Sequence, residues 1–252
     1  MTTKWLAGRV IENRHWTGTL FSLRADGPRL AFEAGQFVRI ALDVREADAG
    51  SRVARPFSFV NPPGDPLLEF YGVVVPEGPL SPALAKLQAG DTLYVAPNPA
   101  GFLVLSEVPD AETLWLVSTG TGIAPFLSIL RTATPWQRFR NVVLVHAVRF
   151  ASERVYRELI SRFQSERKGA FRYVTFVSRE SAAGSLAGRI PAAVRDGRLE
   201  AAAGLRLAPE TSQVLLCGNP AMLKDTAVVL AERGMRKHRR RSPGHVTVES
   251  FW

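Results

Sequence analysis

Hydrophobic positions along this chain follow two regimes. Over the first hundred residues they come as short β-branched or aromatic runs, at 5–11, 19–24, 37–42, 58–61, 68–75 and 92–96. Gly, Pro, Asp and Asn separate the runs, as in Asp26-Gly27-Pro28 and Asn61-Pro62-Pro63-Gly64-Asp65-Pro66. Six short strands with turn punctuation predict a small antiparallel barrel or sandwich. One brief helix interrupts them: Ser81 is the expected N-cap, Pro82 takes the first helical position, and residues 83–87 follow.

The pattern changes after a connector at 97–109. Residues 114–117, 142–145, 173–177 and 214–216 are continuous apolar runs of the buried-strand type, and helical patterns lie around 126–130, 155–163 and 222–232. Buried strands alternating with helices predict a doubly wound parallel sheet with flanking helices. The domain boundary is placed near residue 105, giving units 1–105 and 106–252.

Composition and charge alter this picture in four ways. A hydrophobic content of 46% with 22% charged residues is that of a globular protein. The single cysteine, Cys217, excludes an internal disulfide and suits a reducing cytosol. No apolar run approaches the roughly 18 residues of a membrane span, and the first residues carry no apolar signal core, so a soluble, cytoplasmic protein is expected. Charge is unevenly placed. Residues 1–100 hold 10 Lys and Arg against 10 Asp and Glu, whereas residues 101–252 hold 22 against 13, so the whole net charge of +9 lies in the second part. That asymmetry points to an anionic ligand or partner there.

Candidate chemistry sits on both units. In Arg55-Pro56-Phe57-Ser58-Phe59-Val60-Asn61, side-chain alternation along a strand puts Arg55 and Phe57 on one side. A guanidinium beside an aromatic ring suits a ligand carrying both a phosphate and a flat ring system. Ser58 adds one hydrogen bond for a reactive atom. Gly78 precedes the short helix, whose start could hold a phosphate. In the second unit, Thr119-Gly120-Thr121-Gly122-Ile123-Ala124-Pro125 is a glycine-rich turn directly after a strand, the setting in which backbone approaches a pyrophosphate. The acidic residue that would hold a ribose 2′-hydroxyl is missing, since no Asp or Glu occurs between Glu112 and Glu153. Arg149, Arg179 and Arg189 follow strand ends instead, with no carboxylate expected nearby, which favours a 2′-phosphate and so NADP(H). Cys217-Gly218-Asn219-Pro220 ends the fourth strand, with Asn219 as N-cap. His146 reads as a satisfied structural histidine. Phe251 and Trp252 close the chain, where a docked terminus could cover a flat ligand. No His, Cys and carboxylate cluster calls for a metal.

Arg55-Pro56-Phe57-Ser58, Gly78-Pro79-Leu80-Ser81, Gly120-Thr121-Gly122-Ile123-Ala124-Pro125, Val177-Ser178-Arg179-Glu180, Cys217-Gly218-Asn219-Pro220 and the aromatic-Trp end occur in that order. In this order and spacing the chain resembles the bacterial ferredoxin–NADP (flavodoxin–NADP) reductases over essentially its full length. The resemblance implies an FAD-binding antiparallel barrel followed by an NADP-binding parallel sheet. It implies FAD contacts from Arg55, Pro56, Phe57, Ser58, Gly78, Leu80, Ser81, Thr121, Phe251 and Trp252, with Ser58 near flavin N5 and Phe57 stacked on the isoalloxazine. It implies NADP contacts from Gly120, Gly122, Arg149, Ser178, Arg179, Arg189, Gly218 and Asn219, and catalytic roles for Ser58, Cys217 and Glu249. The family usually has Tyr at position 57 and often at 251; Phe keeps the stacking face and loses a hydroxyl. The implied activity is hydride transfer from NADPH to flavin N5, then single-electron transfer to an acidic ferredoxin or flavodoxin, by a protein expected to be monomeric. The same flavin chemistry could instead serve an oxygenase partner, free flavin or ferric complexes. A nucleic-acid-binding role for the basic run Arg236-Lys237-His238-Arg239-Arg240-Arg241 is set aside, because the run is short and lacks interleaved aromatics.

Overall fold

The computed structural model of the protein describes residues 4–43 and 52–250. The first unit is a six-stranded antiparallel sheet built from β1 (Leu6–His15), β2 (Leu20–Asp26), β3 (Phe37–Asp43), β4 (Arg52–Ser58), β5 (Leu67–Val73) and β6 (Thr92–Val95). Its strand order is β4-β3-β6-β1-β2-β5, and a bridge from Phe59 to Phe70 ties the end of β4 back to β5, closing a barrel. Alternation explains the closure: Val10, Leu23, Ile40, Leu93 and Val95 point into one shared core, while their chain neighbours Arg9, Arg24, Arg39 and Thr92 face water.

Two local expectations are corrected here. The strand expected at 58–61 runs over Arg52–Ser58 instead, because β3 pairs with it in full register from Asp43↔Arg52 to Phe37↔Ser58. Ser81 is not the N-cap of α1 (Ser81–Ala85); Leu80 is, without a side-chain bond. The Ser81 hydroxyl accepts from the Val75 N–H at 2.9 Å and so ties the preceding turn to the helix start.

The second unit is a six-stranded parallel sheet. Its strands are β7 (Thr113–Thr119), β8 (Asn141–Val148), β9 (Phe171–Val177), β10 (Ser185–Ala187), β11 (Ser212–Gly218) and β12 (Val246–Ser250), in the order β10-β9-β8-β7-β11-β12. The helices are α2 (Ala124–Leu130), α3 (Thr134–Arg138), α4 (Arg157–Glu166), α5 (Ile190–Arg195), α6 (Arg198–Ala203) and α7 (Pro220–Glu232). The continuous apolar runs have a direct cause: the sheet is covered on both faces. Leu114, Leu116, Val142 and Leu144 pack with α2 and α4. Trp115, Val117, Val143 and Val145 pack with α5, α6 and α7 on the other side. Strands β10 and β12 flank the sheet, and β10, α3, α5 and α6 do not appear among the expected elements.

The two units are fastened together by polar contacts. Arg131, at the end of α2, pairs with Asp65 at 3.2 Å and Glu69 at 3.1 Å. The Ser128 hydroxyl donates to the Asn61 carbonyl at 2.7 Å, and the Ser22 and Tyr156 hydroxyls lie 2.6 Å apart.

Candidate active site

Strand β4 ends against a cavity of about 340 Å³ at the junction of the two units. Arg55, Pro56, Phe57, Ser58, Gly78, Leu80, Ser81 and Thr121 all line it. Eight of the ten residues expected at the flavin therefore lie in one place; the other two, Phe251 and Trp252, lie outside the described residues. Arg55 and Phe57, expected on one side of the strand, line this same cavity, and Pro56 and Ser58 border it too. The Phe57 ring is half-buried and meets Phe70 edge-on at 6.5 Å. Ser58 is 3% exposed, and its hydroxyl is buried with no hydrogen-bond partner. A buried hydroxyl left unpaired costs about 1–3 kcal/mol, so this atom calls for a polar partner in the cavity.

Tyr71, Gly72 and Val73 of β5 also line the cavity and were not among the expected site residues. Gly72 carries a sequence signal, because a glycine inside a strand often marks close approach. A Cβ there would lie 2.8 Å from the Phe21 ring and 3.0 Å from the Phe57 ring. Gly72 is what lets Phe57 lie where it does.

Across the cavity stands the glycine-rich turn. Residues Gly120–Ile123 form a 3₁₀ turn between β7 and α2. Gly120 has φ +51° and open space around it, whereas a Cβ on Gly122 would meet the Cys217 carbonyl oxygen at 2.5 Å. Gly122 is thus required for packing against β11. His146 lies beneath the turn, fully buried, with Nε2 3.0 Å from the Gly120 carbonyl oxygen. Burial lowers its pKa to about 4, the carbonyl opposing only in part, so the ring is neutral and structural, as expected.

In this strand order β7 has β8 on one side and β11 on the other, and the crevice of a doubly wound sheet opens at that reversal. The residues around it are held by cross-strand contacts. The Asn219 N–H donates to the Thr119 hydroxyl at 2.8 Å, and the Asn219 side chain accepts from the N–H groups of Ala221 and Met222, the expected N-cap of α7. Cys217 pairs in register with Glu249 of β12. Burial, reinforced by Glu249, pushes the Cys217 thiol up, so it is neutral. Burial raises the Glu249 carboxyl to about 7, partly offset by the Phe102 N–H that it accepts at 3.3 Å. The other Glu249 oxygen is buried and unpartnered. Neither Cys217 nor Glu249 lines the barrel cavity.

The arginines expected for a 2′-phosphate stand along one edge. Arg149, Arg179 and Arg189 follow the carboxyl ends of β8, β9 and β10, which are consecutive neighbours in the sheet. All three are exposed, as is Ser178, and the Arg179 N–H donates to the Arg149 carbonyl at 2.9 Å. One part of the expectation is corrected. A carboxylate is present: Glu153 pairs with Arg149 at 3.2 Å and also accepts its backbone N–H, because a 3₁₀ turn at Ala151–Glu153 folds the chain back. Among the described residues Arg179 and Arg189 have no such partner.

The family description "oxidoreductase NAD-binding domain" matches residues 116–227. The chain is 51% identical over 249 residues to the flavodoxin/ferredoxin–NADP reductase of Shigella flexneri, covering 98% of this chain and 99% of that one. Its identity to the protein of the same name from Escherichia coli is 50%, with the same coverage. A ferredoxin NADP+ reductase from Neisseria gonorrhoeae, solved with bound FAD and NADP, superposes over the whole of both chains with a TM-score of 0.93 and 32% identity.

Proposed function

We propose that this chain, which belongs to the flavodoxin/ferredoxin–NADP reductase family, binds FAD and NADP(H) and passes electrons between NADPH and a ferredoxin or flavodoxin. FAD, when bound, supplies the exchange between two-electron and one-electron chemistry. The observation that carries the reading is the barrel cavity, where a cation, an aromatic ring and an orphaned hydroxyl from β4 converge opposite the glycine-rich turn. The residues fit the flavin on their own chemistry. Arg55 is placed to grip a pyrophosphate, with the Gly78–Ser81 segment beside it, and Phe57 offers the stacking face. The Ser58 hydroxyl gains in the flavin the partner it lacks in the protein.

Residues 1–105 serve as the FAD unit and residues 106–252 as the NADP unit in this proposal. Arg179 and Arg189 bind the 2′-phosphate, free of competing carboxylates, while Arg149 must share itself with Glu153. Gly120, Gly122, Gly218 and Asn219 admit the coenzyme at the crevice, and Ser178 borders its phosphate. Cys217 contributes a small, neutral side chain beside the nicotinamide, and Glu249, titrating near neutrality, holds or releases a proton there. Phe251 and Trp252 follow β12 directly and are assigned to the flavin.

The carrier is assigned as acidic, because the chain's excess of cations lies in residues 101–252. The protein is assigned to the cytoplasm as a monomer; among the described residues no helix is long and apolar enough to cross a membrane. The test is reduction of purified ferredoxin or flavodoxin by NADPH. Flavin that is reduced by NADPH but discharges only to free flavin or ferric complexes would replace the carrier assignment.

A further inference from the structure

A second cavity, of about 450 Å³, is lined by residues of both units and shares no lining residue with the barrel cavity. The ends of β1 and β2 form one wall, and the segment leading into α4 forms the other. Its lining is dominated by six arginines, Arg14, Arg24, Arg131, Arg154, Arg157 and Arg162. Two of these are neutralised in place: Arg24 pairs with Glu12 at 3.4 Å, and Arg131 with Glu69 and Asp65. Among the described residues the other four pair with no carboxylate, and Glu158 is the one remaining acid in the lining. Arg154 is held by the Ala151 carbonyl and the Ser185 hydroxyl. Its charge is therefore fixed in direction without being cancelled.

Cations gathered in a concave wall reinforce one another's field and favour a multiply charged anion. The lining also says what the anion is not. Trp16 is the aromatic that could receive a base or a flat ring, yet Arg14 already covers its face at 3.8 Å and Tyr156 packs against it at 5.0 Å. No stacking platform is left. We propose that this cavity binds a small multivalent oxyanion with no aromatic part, held by Arg14, Arg154, Arg157 and Arg162. Such a ligand contacts both units at once, next to the Ser22–Tyr156 hydroxyl pair that already joins them.

The test is calorimetric titration of the protein as purified, with NADP+ in excess so that the arginines at the sheet edge are engaged. Inorganic pyrophosphate and citrate are the probes. Arg157 and Arg162 are both exposed, so the double variant Arg157→Gln/Arg162→Gln leaves the fold intact. Wild type is expected to bind one equivalent of at least one probe, and the double variant to bind it at least about tenfold more weakly. Tighter pyrophosphate binding assigns the natural ligand to phosphate esters, and tighter citrate binding to polycarboxylates. Absence of binding by both probes, or equal binding by the double variant, overturns the proposal. A parallel Arg179→Ala variant should retain the added site; loss of binding there instead would place the anion at the sheet edge and also overturn it.

Discussion

The barrel cavity and the edge of the parallel sheet hold the groups proposed to bind ligands in opposite ways. In the barrel, Arg55, Phe57 and Ser58 come from one strand whose register is locked by β3, and the critical hydroxyl is buried. At the sheet edge, Arg149, Arg179 and Arg189 come from three separate strand ends and all stand in water. The first arrangement is a recess that runs from the exposed Arg55 to the buried Ser58, so shape and one orphaned polar atom do the selecting. The second is open and charged, so affinity is gained when a phosphate neutralises it. A resident cofactor and an exchanging coenzyme need that difference.

The comparison breaks most visibly at Gly72. Gly72→Val adds a Cβ 2.8 Å from Phe21 and 3.0 Å from Phe57, so the Phe21 ring must shift, and the branched side chain crowds Phe57 at the cavity wall. The purified variant should lack flavin colour, while circular dichroism still reports a folded barrel. Arg55→Ala, which removes a contact without filling space, should weaken FAD by about ten- to a hundredfold, as read by equilibrium dialysis. A variant that kept full flavin at Gly72→Val would remove the barrel cavity from the account.

At the exposed edge the effect should be smaller and selective. Arg179→Ala or Arg189→Ala should raise the KM for NADPH about ten- to a hundredfold and leave NADH nearly unchanged. Arg149→Ala should cost less than either, because Glu153 already occupies that guanidinium. Equal losses with both coenzymes would show that these arginines do not read the 2′-phosphate.

Much of this division was legible in the residues themselves. The short, turn-punctuated runs before residue 96 and the continuous apolar runs after 114 announce an antiparallel barrel or sandwich and a sheet covered on both faces. β10 escaped because Ser185-Leu186-Ala187 is only three residues long and lies at an edge of the sheet. Gly72 and Tyr71 escaped because their significance lies in what packs across β5, which spacing along one chain does not carry. Glu153 escaped for a related reason. The stretch between Glu112 and Glu153 is free of acids in sequence, yet four residues of turn bring Glu153 onto Arg149.

Three smaller effects follow from burial and charge. His146 binds a proton less readily folded than unfolded. Its contribution is intact above its ordinary value of 6.5 and is lost as pH falls toward about 4. His146→Gln should flatten the acid side of the melting-temperature profile. Glu249 has the reverse sign: its native carboxyl is raised from 4.5 to about 7, so it destabilises the fold increasingly as pH rises across that interval. Glu249→Gln should remove that slope. Added salt from about 50 to 500 mM should slow carrier reduction more than reduction of an uncharged acceptor, since screening acts on steering by the cationic half. A flat salt profile for the carrier would set the acidic-partner assignment aside.

The most direct test is anaerobic rapid mixing of the purified protein with NADPH and, separately, with NADH, followed by addition of oxidised flavodoxin or ferredoxin. The account predicts that NADPH bleaches the visible flavin band far faster than NADH does, and that the band returns as the carrier is reduced. A protein without that band, one bleached equally fast by both coenzymes, or one that fails to discharge to either carrier would contradict it.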